Sequence, residues 1–599
     1  MDKIISKNKT YKLIDFIIIP FVICPFYTLM EIINKVLQAL IPSMQVLIIA
    51  NFIDIAIDIF NGQAETGNIY LPLSLLMLIV AYSYLNEHLM SFVNLKLKMC
   101  MTTVYKKEII EKRAKLQYQH IENNDTWDLI SRTCNDPVVR IIEGFYNLMN
   151  ISNIVIRVVS ILLILMTQIL WAGVVIIAIS VPLFFLAIKT GKDGYEASKE
   201  AEKHRHRADY LQNVLLGRDS VEERTLFDYT GGVSDKWYEK YETARKIVLN
   251  VDLMYYVKMK GSSIITLFIS LCIIGVLLFP LSNGIITIGM FIGLVNKTLE
   301  LVHAMSWELT SVTSKLVRNR EFLKDLTTFF ALSETEGALD LPIDTKDLNF
   351  ESIEFKNIYF KYPGTEKYIL KDFSLLLQKD LHYAFVGING AGKTTITKLL
   401  TGMYDNFEGE ILINGKSIRN YNQTELKGIF SVVHQDFAKY YITLKDNIAL
   451  GDVLRYDEKS IYEAISLMDL DNLTGNLSDG INTYLGKIKE NGVDMSGGQW
   501  QRIALARNIY SSSLIRILDE PTAALDPVAE SNIYEMFGKI STGKPTIFIT
   551  HRLGAARIAD EIIVIGDGKV EEKGSHESLI EKGGIYAQMF ESQRSWYQW

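Results

Sequence analysis

Apolar residues are spread unevenly along the chain, crowding residues 1–320 and thinning into an ordinary mixture afterwards. A helix that crosses a bilayer needs about 20 mostly apolar residues. Six stretches meet that requirement, beginning near Ile14, Ile69, Leu148, Trp171, Ile264 and Ile285. The third and fourth are joined by almost nothing ("LMTQILWAGVV"), as are the fifth and sixth ("LLFPLSNGIITIG"). The first pair is joined by "DIFNGQAETGN", which has no Lys or Arg. Residues 94–146 and 189–260 are instead long, polar and rich in Lys and Arg. Positive charge marks the cytoplasmic side, so these segments and both termini are expected there, as helices that leave the membrane and return.

The pattern changes at residues 331–349 ("ALSETEGALDLPIDTKDLN"), which read as a linker between a membrane domain over 1–330 and a second domain over 350–599. Beyond it, short apolar runs such as "IEFKNIYFKYP", "HYAFVGI" and "GEILING" alternate with turns and helical patterns, which predicts an α/β nucleotide-type domain. The 599 residues exceed what one core supports. A formal net charge of -7 gives no reason to expect a nucleic-acid partner. The four cysteines, Cys24, Cys100, Cys134 and Cys272, form no CxxC pair. Neither a metal site nor a disulfide framework is expected of them, and they read as apolar packing. Lys3, Lys7, Lys9 and Lys12 precede the first apolar run, which has no small-residue cleavage site and reads as a span with a cytoplasmic start.

Candidate chemistry lies in the second domain. "GINGAGKTT" (387–395) fits G-x-x-x-x-G-K-[ST] between an apolar strand and a helix. Gly387, Gly390 and Gly392, with Asn389 between, let the backbone curl so that its N–H groups face phosphate oxygens. Lys393 is expected to reach the β- and γ-phosphates of ATP. Thr394, followed by Thr395, is expected to ligate Mg²⁺. "LIRILDEP" (514–521) is a strand ending in Asp519, a partner for that metal, and Glu520, placed to polarise an attacking water. Arg516 interrupts this strand and is expected to reach the surface. In "ENGVDMSGGQWQRIALARNIY" (490–510), two glycines ahead of a helix bare amide N–H groups at its positive end, a place for an anion.

The P-loop, "MSGGQ", "ILDEP" and the histidine of "FITHR", in this order, resemble the ATPase domain of the ATP-binding cassette (ABC) family over about residues 350–595. The resemblance implies that Ser496, Gly497 and Gly498, with Gln499, meet the γ-phosphate of an ATP held by another subunit's P-loop. It also implies that Tyr362 stacks on adenine, that Gln435 senses Mg²⁺, that Asp526 couples the two sites and that His551 is the switch histidine near the γ-phosphate. Met495 stands where the family usually has Leu. The implied fold is an α-helical six-span transmembrane domain of the exporter type plus an α/β P-loop ATPase domain, in the cytoplasmic membrane. Two competent sites per pair of chains point to a homodimer, with a heterodimer formed with a separate partner as the alternative. The polar stretches 124–132 and 218–228 sit where family members dock on the ATPase domains.

Charges inside the spans, namely Glu31 and Lys35 (i and i+4), Glu87, Arg157, Lys297 and Glu300, are candidates for lining a transport cavity or for pairing internally. "HQDFAKYYITLKDNIALGD" (434–452), Trp500 directly after the signature, and a first span that leaves no room for an N-terminal peptidase domain are similar to the lanthipeptide and bacteriocin-type exporters. A ribosomally made peptide is therefore the expected cargo, with membrane lipids around the spans and no nucleic acid. The alternative is an exporter of lipids or hydrophobic drugs. A soluble ABC ATPase of translation or DNA repair is disfavoured by the six spans and the lack of a basic stripe.

Overall fold

The computed structural model describes residues 9–168, 196–303, 308–345, 348–486, 491–522 and 544–595, apart from isolated positions between 198 and 219. It divides into two compact units. The first takes in residues up to Ile110 and Leu129–Leu332. Its apolar opening is split where the sequence suggested one span: α1 (Asp15–Ile23) ends at Cys24, and Pro25 opens α2 (Pro25–Phe60). Cys24 sits at φ -133° and ψ 64°, off the helical region. A proline disfavours the helical conformation in the residue before it and suits the first helical position. The spanning helix is thus α2, with the Ile14 run a separate short helix ahead of it. Next come α3 (Tyr70–Lys115), α4 (Tyr118–Glu122), α5 (Asn124–Cys134) and α6 (Pro137–Gln168). Among the described residues three helices are long and apolar enough to cross a membrane: Pro25–Phe60, Thr66–Lys115 and Pro137–Ile164. The fourth expected span, near Trp171, lies outside the described residues. After α7 (Val221–Phe227), the fifth is the far part of α8 (Thr230–Ser282), one helix of 53 residues that fuses extension and span. The sixth is α9 (Ile288–His303), followed by α10 (Leu309–Ala331).

These helices pack through Val46, Ile161, Leu162, Leu277 and Leu294. Gly289 lets α9 close on α2: a Cβ there would lie 2.1 Å from the Ala50 carbonyl oxygen, and its N–H donates to Asp54 Oδ1 at 2.8 Å. Lipid provides no hydrophobic drive between helices, so close approach through small residues and polar contacts does that work. Arg157 pairs with Glu308 and with Glu300 (3.7 Å), and Lys297 with Glu300 and Gln45 (3.1 Å). These four charges satisfy one another inside the unit. One expectation fails. Cys24 and Cys100, 76 positions apart, form a disulfide with Cα atoms 6.4 Å apart. The break between α1 and α2 sets Cys24 against α3, a meeting that no local spacing announces.

The second unit combines Ser333–Trp599 with Glu111–Asp128. In the latter segment, Lys112 pairs with Glu334 at 2.6 Å, the Tyr118 ring meets that of Tyr404 at 5.6 Å, and Glu122 pairs with Lys398 at 3.0 Å. The contact thus falls on α4, a few residues before the expected 124–132, and Trp127 lies under the Arg113 guanidinium instead (5.2 Å). An antiparallel sheet of β1 (Ser352–Phe360), β2 (Leu370–Gln378), β4 (Glu408–Ile413) and β5 (Lys416–Ser417) runs in the order β2-β1-β4-β5. A second sheet contains β3 (His382–Val386), β6 (Phe430–Val433), β7 (Ile515–Asp519), β8 (Thr546–Ile549), β9 (Glu561–Gly566) and β10 (Lys569–Gly574), in the order β10-β9-β3-β8-β7-β6. It is parallel except for β10. Strands β3, β7 and β8 are almost wholly buried, as a parallel sheet covered on both faces requires. Arg516 is buried with them, 6 % exposed, with a guanidinium nitrogen donating to the Ile509 carbonyl at 3.3 Å, and does not reach the surface.

Candidate nucleotide site

The carboxyl ends of β3, β7 and β8 lie side by side: Phe385 is in register with Ile549, and Ile549 with Asp519. Ligands of parallel sheets bind at this edge. After Val386 the chain turns through residues 387–392 into α11 (Lys393–Leu400). The turn demands glycine at two places. A Cβ on Gly387 would lie 2.2 Å from the Ile565 carbonyl oxygen, and Gly392 sits at φ 104° with a virtual Cβ 2.8 Å from Leu370 Cδ2. Gly390 has φ 80°, and Asn389 beside it is exposed at the rim. Lys393, 5 % exposed, folds over the turn and donates to the carbonyls of Gly387 (2.8 Å) and Ile388 (3.1 Å). Burial pulls its ammonium below the usual lysine range, while Glu520 and Asp519 oppose that pull.

Asp519 ends β7 at 1 % exposure, with neither carboxylate oxygen in a hydrogen bond of good geometry. Burial pushes its pKa up to about 6; Glu520 adds to the rise, while the Thr394 hydroxyl and Lys393 offset part of it. An orphaned buried carboxylate beside a hydroxyl is the oxygen chemistry of a hard cation, which takes only one or two protein ligands when phosphates supply the others. Among the described residues no group of three or more His, Cys, Asp or Glu could hold a metal ion by itself.

The next residue, Glu520, is in the left-handed region (φ 50°), and its N–H donates to the Ile549 carbonyl at 2.9 Å. That backbone aims the carboxylate between two partners. Oε1 lies 2.7 Å from His551 Nε2, and Oε2 accepts from Gln435 Nε2 at 2.9 Å. Three residues singled out from separate motifs therefore converge. His551 is shifted down, by burial first and by Lys393, against the upward pull of Glu520 and a backbone contact to Gly387. Its imidazole is consequently neutral near pH 7. Tyr362, just after β1, bonds through its hydroxyl to Thr395 Oγ1 (2.9 Å), with its ring against Phe360 (5.2 Å) and Tyr404 (5.5 Å). It flanks the phosphate loop.

The "MSGGQ" segment stands apart. Ser496 caps α12 (Gly497–Tyr510): Ser496 Oγ accepts from the Gln499 N–H, and Gln499 Oε1 accepts from the Ser496 N–H. Trp500 is buried in a cluster distinct from the one beneath the phosphate loop, with Tyr441 edge-on at 6.1 Å. Among the described residues, no hydrogen bond joins Ser496, Gly497 or Gly498 to that loop. Asp526 lies outside the described residues. Gln593 was missed by sequence reasoning: on α13 (Ile585–Ser595) it donates to the His551 carbonyl and accepts from the Leu553 N–H at 2.9 Å, clamping the histidine turn. No motif marks it.

Residues 370–523 match the ABC transporter family. The chain is 28 % identical to the subtilin transport ATP-binding protein SpaT of Bacillus subtilis, across 86 % of this chain and 83 % of that protein. It is 26 % identical to the nisin transport ATP-binding protein NisT of Lactococcus lactis subsp. lactis, across 90 % of both. Its fold matches the structure of a bacterial Atm1-family ABC exporter with ATP bound at a TM-score of 0.71 and 23 % identity, covering 94 % of this chain and 98 % of that one. With the P-loop site and the apolar helices, these matches make the chain similar to ABC exporters and support a multi-pass membrane protein whose cytoplasmic ATPase domain binds ATP and couples its hydrolysis to transport.

Proposed function

We propose that the chain exports a ribosomally made peptide of the lanthipeptide or bacteriocin class, working as two identical copies. One observation carries the cargo: the likeness to two proteins named for subtilin and nisin transport runs through the helical unit as well as the ATPase unit, over 86 % and 90 % of this chain. The arrangement of the site supports the dimer. The residues at the sheet edge provide a phosphate cradle, and the capped "MSGGQ" helix end lies elsewhere in the same chain, free to serve another copy's nucleotide. A dimer with identical interfaces completes two sites at once.

In this reading the Gly387–Gly392 turn and Lys393 hold the phosphates, the lysine exchanging its loop carbonyls for phosphate oxygens. Thr394, Asp519 and Gln435 hold Mg²⁺, which when bound neutralises phosphate charge. Glu520 orients the attacking water. Its two partners have distinct tasks: Gln435 fixes one carboxylate oxygen, and neutral His551 fixes the other and faces the γ-phosphate. Tyr362 supports the adenine, and Asp526 links the paired sites. ATP drives the cycle only so far as it binds the closed pair better than the open one. The test is ATPase activity of the purified protein titrated with precursor and modified peptides, lipids and dyes. Micromolar peptide is expected to change the rate. A saturating response to lipids or dyes with none to any peptide would overturn the cargo assignment.

A further inference from the structure

A cleft of about 590 Å³ opens among α2, α3 and α6 in the membrane unit. That volume is typical of small-molecule sites. Its α3 residues, Tyr82 to Asn94, lie 12 to 24 positions from the outer helix end at Tyr70. At about 1.5 Å per residue that is roughly 18 to 36 Å, from just past the middle of a core about 30 Å thick to its inner edge and slightly beyond, with Asn86 and Glu87 at about 24 to 26 Å, inside it. Polar groups at such depth are costly, and natural chains pair them or turn them to a functional cavity. The Arg157, Lys297, Glu300 and Glu308 cluster takes the first course. The cleft does not complete its pairings. Lys35 Nζ donates to Asn150 Oδ1 at 3.1 Å, and the Tyr82 hydroxyl donates to Asn34 at 3.1 Å. The Tyr146 hydroxyl is committed to Asn94, so Glu31, 1 % exposed, meets it at 3.5 Å and otherwise feels the Lys35 ammonium one turn along α2. Asn86 is 8 % exposed and lines the cleft, and among the described residues no hydrogen bond engages its amide. Glu87 lines the same wall, is exposed, and has no ion pair among the described residues.

We propose that this cleft binds a primary ammonium group of the exported substrate, the side chain of a lysine in the peptide. The charge balance selects the sign: two carboxylates face one ammonium, and that ammonium is already held by Asn150. The amide oxygen of Asn86 and the carboxylates of Glu31 and Glu87 supply acceptors for the three N–H bonds of an alkylammonium. A phosphatidylethanolamine headgroup has the same ammonium chemistry. The lysine assignment rests on the peptide reading above.

The test uses the full-length protein in phosphatidylglycerol nanodiscs, which hold no amine. The probes are a fluorescent synthetic apolar peptide with one lysine, blocked at both ends, and its Nε-acetylated twin, read by anisotropy and by ATPase rate. The lysine peptide is expected to bind at least about tenfold more tightly than the twin, as for a charge pair in a desolvated site. Glu87→Gln and Asn86→Ala are expected to shrink that ratio. Glu31→Gln, at a fully buried position, is read only alongside a melting curve. If both peptides bind and change the rate equally, or if Glu87→Gln leaves the ratio intact, the cleft assignment falls while peptide export stands. If neither these peptides nor natural precursors bind, and phosphatidylethanolamine alone changes the rate, both fall.

Discussion

At the scale of single residues, the site is a carboxylate held from two sides. Glu520 meets both partners from a backbone at φ 50°, a conformation that costs an ordinary side chain about 1 kcal/mol or more. The strand ladder imposes it through the Ile549 carbonyl. Glu520→Gln keeps the shape and removes the charge that activates water. The variant is expected to bind ATP normally and to lose about 100-fold or more in kcat, measured by nucleotide binding and turnover on one preparation; normal turnover would remove Glu520 from its role. Asp519 gives a pH prediction. A carboxyl raised to about 6 is ionised at pH 7 and takes up a proton as the pH falls through 6. Mg²⁺ needs the ionised form, so its apparent affinity is expected to fall by about tenfold per pH unit below that point. Asp519→Asn should abolish this slope in a Mg²⁺ titration; an unchanged slope would place the titration elsewhere. The meeting of Glu520 with Gln435 and His551 was legible in the sequence because phosphate and metal chemistry concentrates into short local patterns. Gln593, the Cys24–Cys100 bond and the burial of Arg516 were not legible, because each depends on which distant segment packs against it.

At the scale of elements, the apolar pattern located the three described helices able to span a membrane and the P-loop located the strand edge, yet boundaries moved. Hydropathy reads composition and is blind to the Pro25 break that detaches α1 from α2. It also cannot say which turn of a polar stretch makes contact. The structure puts that contact on α4. Lys398, on α11 just behind the phosphate loop, lies 5.1 Å from the Tyr118 ring and 5.3 Å from the Tyr362 ring while it pairs with Glu122. One lysine thus ties the segment arriving from α3 to the proposed adenine-stacking tyrosine. Each such cation–ring contact is worth about 0.5 to 1 kcal/mol, and the Tyr118–Tyr404 pair a similar amount. Those increments are too small to unfold the unit and large enough to bias a two-state motion. Tyr118→Ala with Glu122→Ala is therefore expected to retain basal hydrolysis and to lose its response to peptide. Trp127→Ala, which disturbs only the Arg113 contact, is expected to do much less. The comparison is ATPase rate with and without peptide, beside transport into vesicles. Equal coupling in all variants would tell against α4. On α7, Leu226 and Phe227 are 74 % and 69 % exposed.

At the scale of the whole molecule, the argument turns on where one chain's chemistry stops. The sheet edge collects Lys393, Thr394, Asp519, Glu520, Gln435 and His551 within a single unit, whereas the Ser496 cap lies between Met495 and Trp500 of another cluster of the same unit, and among the described residues no hydrogen bond brings it to the loop. If each ATP requires one chain's Lys393 and the other's Ser496, the two defects interact in a way that depends on which chain carries them. Consider dimers purified through two different tags. A Lys393→Ala chain paired with a Ser496→Arg chain leaves one site wholly intact, because both defects fall at the other. A chain with both substitutions paired with a normal chain damages both sites. The first dimer is expected to hydrolyse ATP and the second to be nearly inactive, although the two contain the same substitutions in the same number. Ser496→Arg also removes a helix cap worth about 1 kcal/mol, a loss common to both dimers that cancels in the comparison. Light scattering on the same samples should give two chains per particle. Equal activity in the two arrangements, or hydrolysis by a particle of one chain, would show that each chain completes its own site.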